Sequence, residues 1–493
     1  MLAVPCGSAR GQDTTFVDAL AQRVSPLLPG DHWAVRAANR AEGMGLAPSF
    51  FPNQSAATLG EVGAALREAA LNAEGGAAAP LAEGWLSRFN AEFPGEGGPV
   101  AGASRLGGSA GVLYNSVRGG LAPAVGTRQE GDTPLALPDA DVLRAGFRAS
   151  ARLARGLAGR VDLAFDADRM EARQWEVVTG AAGVTLSAGR MPIGYGWGGD
   201  GGLVLGANAV LPRVELRTTH AWSLPGVLRP LGRISASTFV SRLDETRHPT
   251  TPWLWGARVA LRPHSRVTLG LNRASIFGGD SAKVTPGRVA GMLVGVLSSE
   301  FENQVVSIDG RYRIPSEALL PLTVFGEWAA EDAAGAWVEQ PAFLLGVEAP
   351  AVPGIPELSL GMEGVRFAAC CGHGAWYRHS IFTGHWAARD RPLGHDLAGA
   401  GSEAAARMGL DVWEARLRLH LRGFLRDRDG SPEDTRRGAR NLFAPVRSGR
   451  SSGIAASADA RMGGSMEASV HATHEDGDGW KDQALELELR YLF

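Results

Sequence analysis

The last nine residues, Leu-Glu-Leu-Glu-Leu-Arg-Tyr-Leu-Phe (485–493), alternate between apolar and charged positions. Leu485, Leu487, Leu489, Tyr491 and Phe493 fall on one face; Glu486, Glu488 and Arg490 fall on the other. A period of two marks a β-strand whose faces meet different surroundings. The pattern recurs upstream. In 142–153, Arg144, Arg148 and Arg152 oppose Ala145, Phe147, Ala149 and Leu153; in 160–168, Val161, Leu163 and Phe165 oppose Asp162 and Asp166. Further strands are predicted at 173–180, 183–191, 233–243, 253–262, 265–274, 321–330, 342–349, 358–367 and 464–474. The clearest is 414–426, with Ala415, Leu417, Leu419 and Leu421 outward and Arg416, Arg418, His420 and Arg422 lining an interior.

The amino-terminal part runs on a helical period. Thr58 and Glu61 form a capping box, and Leu59, Val62, Leu66 and Ala69 then recur at helical spacing. Helices are also predicted over 32–46 and 80–93. The organisation expected is a helical domain at 14–95, a Gly/Pro-rich linker at 96–109 and a strand domain at 110–493. Residues 1–13 read as the tail of a secretory signal or a disordered start, having small and apolar residues but no basic segment before them.

Arginine decides what the strands enclose. Each arginine on a lipid face costs about 2–4 kcal/mol near the bilayer midplane, so the Arg416–Arg422 row demands water or polar partners. Roughly ten alternating residues are enough to cross a bilayer as a tilted strand. A soluble β-sandwich would alternate too. The number of strands, the repeated arginine faces and the terminal strand favour a large antiparallel transmembrane β-barrel. Such a barrel closes only if its last strand pairs with its first. Tyr491 and Phe493 then belong to the interfacial aromatic girdle, and the ending resembles the signal read by the barrel-insertion machinery.

Composition narrows the partners. The 493 residues carry a formal net charge of -3 and no basic tail, so nucleic acid is not an expected partner. No run of about 18–20 apolar residues suggests a membrane-crossing helix. The 66 glycines fit many turns. Cys6, Cys370 and Cys371 lack metal-ligand spacing.

Four stretches, 189–205 (GRMPIGYGWGGDGGLVL), 243–263 (LDETRHPTTPWLWGARVALRP), 326–335 (GEWAAEDAAG) and 375–395 (AWYRHSIFTGHWAARDRPLGH), resemble the Wzi-type capsule assembly proteins of Gram-negative bacteria, in the family's order. The resemblance extends through most of 110–493. It implies an outer-membrane barrel of about eighteen strands with helices against its periplasmic end. It further implies a non-catalytic, lectin-like protein that binds capsular polysaccharide at the cell surface and supports capsule assembly and attachment. The implied partners are surface polysaccharide, outer-membrane lipid and the insertion machinery, with no cofactor.

Two segments carry candidate glycan chemistry. Aromatic faces suit sugar rings, and the arginine fork suits acidic sugars. Trp376, Tyr377, Arg378, His379, His385 and Arg391 supply such groups in 375–395, although the same aromatics would serve a girdle. Tyr195, Trp197 and Asp200 lie in a glycine-rich segment that reads as a tight turn or a loop folded into the lumen. Two alternatives remain. A carbohydrate-selective outer-membrane porin would have an open lumen. An outer-membrane glycan hydrolase would need paired acids such as Asp244–Glu245 or Glu331–Asp332, with Glu327 or Glu331 as candidates. Six residues of strand span about 20 Å, so His373, His379 and His385 cannot meet on one strand, and only a compact loop could gather them with His395 around a metal.

Overall fold

The computed structural model describes residues 23–52, 56–94, 96, 106–118, 140–154, 156–167, 170–199, 201–206, 209–243, 248–280, 283–294, 301–316, 319–331, 340–368, 376–377, 379, 381–382, 385–388, 391–397, 399, 401–428 and 449–493. Eighteen long strands form a closed antiparallel barrel. In chain order they are β1 (Gly107–Arg118), β2 (Ala140–Ala154), β3 (Leu157–Phe165), β4 (Met170–Ala181), β5 (Val184–Ile193), β6 (Ala209–Thr218), β7 (Arg233–Arg242), β8 (Trp253–His264), β9 (Val267–Phe277), β10 (Glu302–Ile314), β11 (Leu322–Glu331), β12 (Ala342–Ala349), β13 (Leu358–Phe367), β14 (Ser402–Val412), β15 (Leu417–Arg428), β16 (Gly449–Met462), β17 (Met466–Gly477) and β18 (Trp480–Leu492). A two-residue strand, Trp222–Ser223, also pairs with β7.

Closure uses the terminal strand. β18 runs antiparallel to β1, with Leu487 opposite Tyr114 and Leu489 opposite Val112. Phe493 and Gly108 exchange both backbone hydrogen bonds, at 3.0 and 3.2 Å. The Phe493 ring stacks 6.0 Å from Phe147 on β2. No strand edge is left between first and last.

On most strands the two faces separate. Leu143, Leu153, Leu271, Ile308, Leu345 and Leu425 are among many large apolar side chains exposed on the outside, Leu345 at 69%. Inside, charges meet in pairs: Arg173 bonds Asp162 at 2.6 Å, Arg258 bonds Asp309, and Arg426 reaches both Glu403 and Glu475. A barrel with its polar side inward and an apolar belt outward suits hydrocarbon around it and polar groups within.

Five strands lie where no strand was predicted, and each departs from clean alternation. β1 begins within the stretch read as linker and opens Gly-Gly-Ser-Ala-Gly. Pro212 interrupts β6, and β14 contains an Ala-Ala-Ala run that reads as helix. β10 opens on the polar triplet Glu-Asn-Gln, and β16 has mostly small residues on its outer face. A further correction concerns 414–416. Trp413, Glu414 and Ala415 take positive φ in a tight turn, so β15 starts only at Leu417. Ala415 is therefore fully buried against the helices instead of facing outward, and Arg416 is exposed on the turn instead of lining the lumen.

Three helices, α1 (Trp33–Gly43), α2 (Leu59–Ala73) and α3 (Ala79–Glu92), pack around Trp85, Phe89, Val62 and Leu66. Thr58 caps α2 through the Glu61 amide while Glu61 returns to the Thr58 amide, completing the box. This unit seats in one end of the barrel. A Cβ on Gly84 would meet the Glu414 carbonyl at 2.2 Å, so α3 rests directly on the 413–416 turn.

Candidate functional site: the closed lumen

Three layers fill the barrel interior. The first is the helical seal, held by ion pairs between helices and wall. Glu42 on α1 receives Arg311, bonds Arg262 at 2.7 Å and lies 3.9 Å from Arg313. Burial would raise the Glu42 carboxyl, but the Arg311 and Arg262 guanidinium groups outweigh it and hold it below the usual carboxylate range. Arg40 donates to the carbonyls of Pro350 and Pro356, each at 2.6 Å, and to Asp411 at 2.7 Å. On α3, Glu92 accepts from the Trp33 indole at 2.6 Å and sits 3.3 Å from His32, with Arg490 at 3.9 Å. Burial opposes its charge, yet His32 and Arg490 keep Glu92 well below the carboxylate range.

The opposite layer is a plug made from two loops. The described residues of 194–206, between β5 and β6, fold inward against those of 376–397, between β13 and β14. Trp386 donates its indole N–H to the Val204 carbonyl at 2.8 Å, and the Tyr377 hydroxyl donates to the Leu203 carbonyl at 2.5 Å. The Gly206 amide donates to the Leu393 carbonyl at 2.6 Å. Leu203, Val204, Leu205, Phe382 and Leu393 complete a dry core against Phe325, Leu344 and Phe367 of the wall. The glycines permit close approach: a Cβ on Gly202 would sit 1.6 Å from the Tyr195 carbonyl.

Wall carboxylates hold this plug by its backbone. Glu327 accepts from the Leu203 amide at 2.9 Å and from the Ser307 hydroxyl at 2.6 Å. Glu331 accepts from the Tyr377 amide at 2.9 Å, and Glu363 from the Gly199 amide at 2.9 Å. The two acids weighed for a hydrolase are thus engaged in seating loops. Asp244, Glu245 and Asp332 lie outside the described residues.

Between seal and plug lies a cavity of about 390 Å³. Its walls come from α1 (Trp33, Arg36, Asn39), from the plug (Tyr195, Trp197) and from β14–β18. Trp197 bonds Asp309 through its indole at 2.7 Å, with the guanidinium carbons of Arg258 and Arg311 at 5.7 and 5.8 Å from its ring. Arg418 bonds Asp411 at 2.6 Å and approaches the Trp33 ring at 5.8 Å. Arg422 pairs with Glu403, and His420 faces the cavity between them.

The candidate residues therefore divide. Tyr195, Trp376, Tyr377, His379 and His385 are buried within the plug, Trp376 and Tyr377 completely, and both rings meet Phe367 edge-on. Trp197, Arg418, His420 and Arg422 border the cavity, and Tyr195 reaches it from the plug. Tyr491 and Phe493 are half-exposed on the outer face. The Arg391 backbone pairs with Ala388 in a short hairpin, and its side chain, like Asp200 and Arg378, lies outside the described residues. Among the described residues no group of three or more His, Cys, Asp or Glu is placed to hold a metal ion. Sequence reasoning missed Trp33, Arg36 and Arg40, a basic–aromatic stripe at i, i+3 and i+7 on α1 whose spacing was there to be found.

Comparison with known proteins fits this geometry. The family model for the capsule assembly protein Wzi matches residues 143–481. Among solved structures, Wzi of Escherichia coli, an outer membrane protein involved in group 1 capsule assembly and a carbohydrate-binding β-barrel, aligns with a TM-score of 0.69 at 15% identity, covering 92% of this chain and 98% of that one. OprD and OccK11 of Pseudomonas aeruginosa align with TM-scores of 0.47 and 0.48 at 10% and 12% identity, each over 79% of this chain and over 95% and 96% of theirs. No curated protein matches by sequence. The family match spans well over half of the chain, and with its closed eighteen-strand barrel this protein belongs to the Wzi family of outer-membrane capsule assembly proteins.

Proposed function

We propose that the protein binds capsular polysaccharide at the cell surface and anchors it there, without cleaving it. The observation that carries this reading is the double closure of the lumen. Helices held through Glu42, Arg40 and Glu92 fill one end, and the loops joined by Trp386 and Val204 fill the other. A conducting porin needs a continuous polar path, and this interior is interrupted twice. The carbohydrate-binding character of the Escherichia coli barrel supports the same assignment.

Orientation follows from the connections. At the helical end the strands are joined mostly by short turns, such as 182–183 and 463–465; at the plugged end consecutive strands are separated by long stretches of sequence, as between β1 and β2, β9 and β10, β13 and β14, and β15 and β16. Outer-membrane barrels carry short periplasmic turns and long extracellular loops. The helices accordingly face the periplasm, and the plug and long loops face the surface. In this reading 189–205 and 375–395 supply the glycan contacts, with Asp200, Arg378 and Arg391 as the polar groups of these segments and the buried Trp376 and Tyr377 as part of the plug core. The outer apolar belt meets lipid, and the terminal Tyr491 and Phe493 serve insertion.

Purified protein in detergent micelles, exposed to capsular polysaccharide of the producing cell, should bind it saturably and leave its chain length unchanged by size-exclusion chromatography. Shortened chains would favour the hydrolase; absence of binding would remove the anchor reading.

A further inference from the structure

The chamber between seal and plug has a chemistry of its own. Eight arginines line it against five acids, so its lining is net positive before either histidine is counted. Most of these arginines are paired, as Arg407 is with Glu363 at 3.1 Å and Arg418 with Asp411. Arg36 is different. It projects from α1 into the chamber, exposed to it, and makes no side-chain hydrogen bond or ion pair among the described residues. His420, on the facing wall, likewise has no hydrogen-bond partner among them and stands in the field of Arg36, Arg407, Arg418 and Arg422. Enclosure within the barrel pushes the Arg36 guanidinium down from its ordinary value although its side chain borders the chamber; Asp31 and Asp459 oppose this, while Arg418 and Arg407 add to it. A cation held among other cations, with donors uncommitted, gains most from an incoming oxyanion.

We infer that this chamber is a binding site for an anionic sugar unit, whose carboxylate or phosphate oxygens are received by Arg36 and His420. The inference rests on the polysaccharide-binding reading and adds to it a ligand class and an interior location separate from the surface loops. The volume lies toward the lower part of the roughly 300–1,000 Å³ usual for small-ligand pockets, which suits one or two sugar rings and not a long chain. Asn39, beside Arg36 on the same helix and also without a side-chain partner among the described residues, offers both donor and acceptor for sugar hydroxyls. Trp197 forms the opposing wall.

The test is calorimetric titration of the purified full-length protein with glucuronate, glucose 6-phosphate, glucose and inorganic phosphate, repeated for Arg36→Gln and His420→Leu. Both variants should fold, since neither side chain holds a structural partner; retention of the heat-modifiable barrel band on gels checks this. At least one of the two sugar anions should bind saturably, and which one identifies the oxyanion. Glucose should not bind detectably, and Arg36→Gln should weaken the bound anion at least tenfold. Unchanged affinity in both variants, or inorganic phosphate binding as tightly as either sugar anion, would overturn the inference. Polysaccharide binding is scored separately on the same samples. Its absence beside intact binding of the small anion would count against surface anchoring while leaving the chamber standing.

Discussion

The indole N–H of Trp386 donates to the carbonyl of Val204 at 2.8 Å, across 182 residues of sequence, and joins two separate loops into one plug. Both partners are fully buried, so the bond is shielded from water, and the ring also fills the plug core. Removing it leaves both a cavity and an unpaired carbonyl.

Trp386→Ala should therefore loosen the plug, at a local cost of about 3–5 kcal/mol. In planar bilayers the native protein should stay near background conductance, whereas the variant should show discrete openings. Large steady conductance in the native protein would mean that the lumen is open.

The helical seal should depend on Glu42. Glu42→Ala leaves Arg262 and Arg311 buried without their carboxylate, which costs about 3–5 kcal/mol. Proteolysis should then release residues of α1–α3 while the barrel remains intact. Equal protease resistance in native protein and variant would remove Glu42 from this role.

The same carboxylate sets a pH dependence. Its folded-state pKa lies below the ordinary value of 4.5, because Arg311, Arg262 and Arg313 outweigh burial. A depressed carboxylate contributes its full stability above the unfolded pKa and loses it as pH falls through the folded value. Docking of the helices, followed by protease sensitivity, should be unchanged from pH 8 to pH 5 and should weaken only in stronger acid. Release already at pH 6 would contradict these assignments.

On the outer face, Leu345 is 69% exposed at mid-strand in β12. Leu345→Arg should destabilise the barrel in bilayers by about 2–4 kcal/mol, while the same protein in detergent should be less affected. Denaturant titration in liposomes measures the difference. A neutral effect in liposomes would place this face away from hydrocarbon.

Much of this architecture could be read from the chain, and the exceptions have physical causes. Thr58 and Glu61 announced α2 because a capping box is local, and Arg418, His420 and Arg422 announced an interior because a strand alternates over its own length. Strands such as β14 and β16 escaped because alanine and serine can face either lipid or lumen without marking a side. Segments 189–205 and 375–395 stood out for their glycines and aromatics. Their partnership with each other did not, since nothing local records that Trp386 meets Val204. Concentrated aromatics suggest sugar platforms from sequence, whereas the structure places Trp376, Tyr377 and Trp386 in the interior of the plug. Arg416 moved to a turn because Trp413, Glu414 and Ala415 adopt left-handed backbone, which periodicity does not reveal.

The account stands or falls on retention of polysaccharide at the cell surface. The direct measurement is the ratio of cell-bound to released capsular polysaccharide in cells lacking this gene, compared with cells carrying it on a plasmid. The account predicts normal total polymer with a shift from bound to released on deletion, reversed by the native chain. An unchanged ratio of bound to released polymer would contradict it.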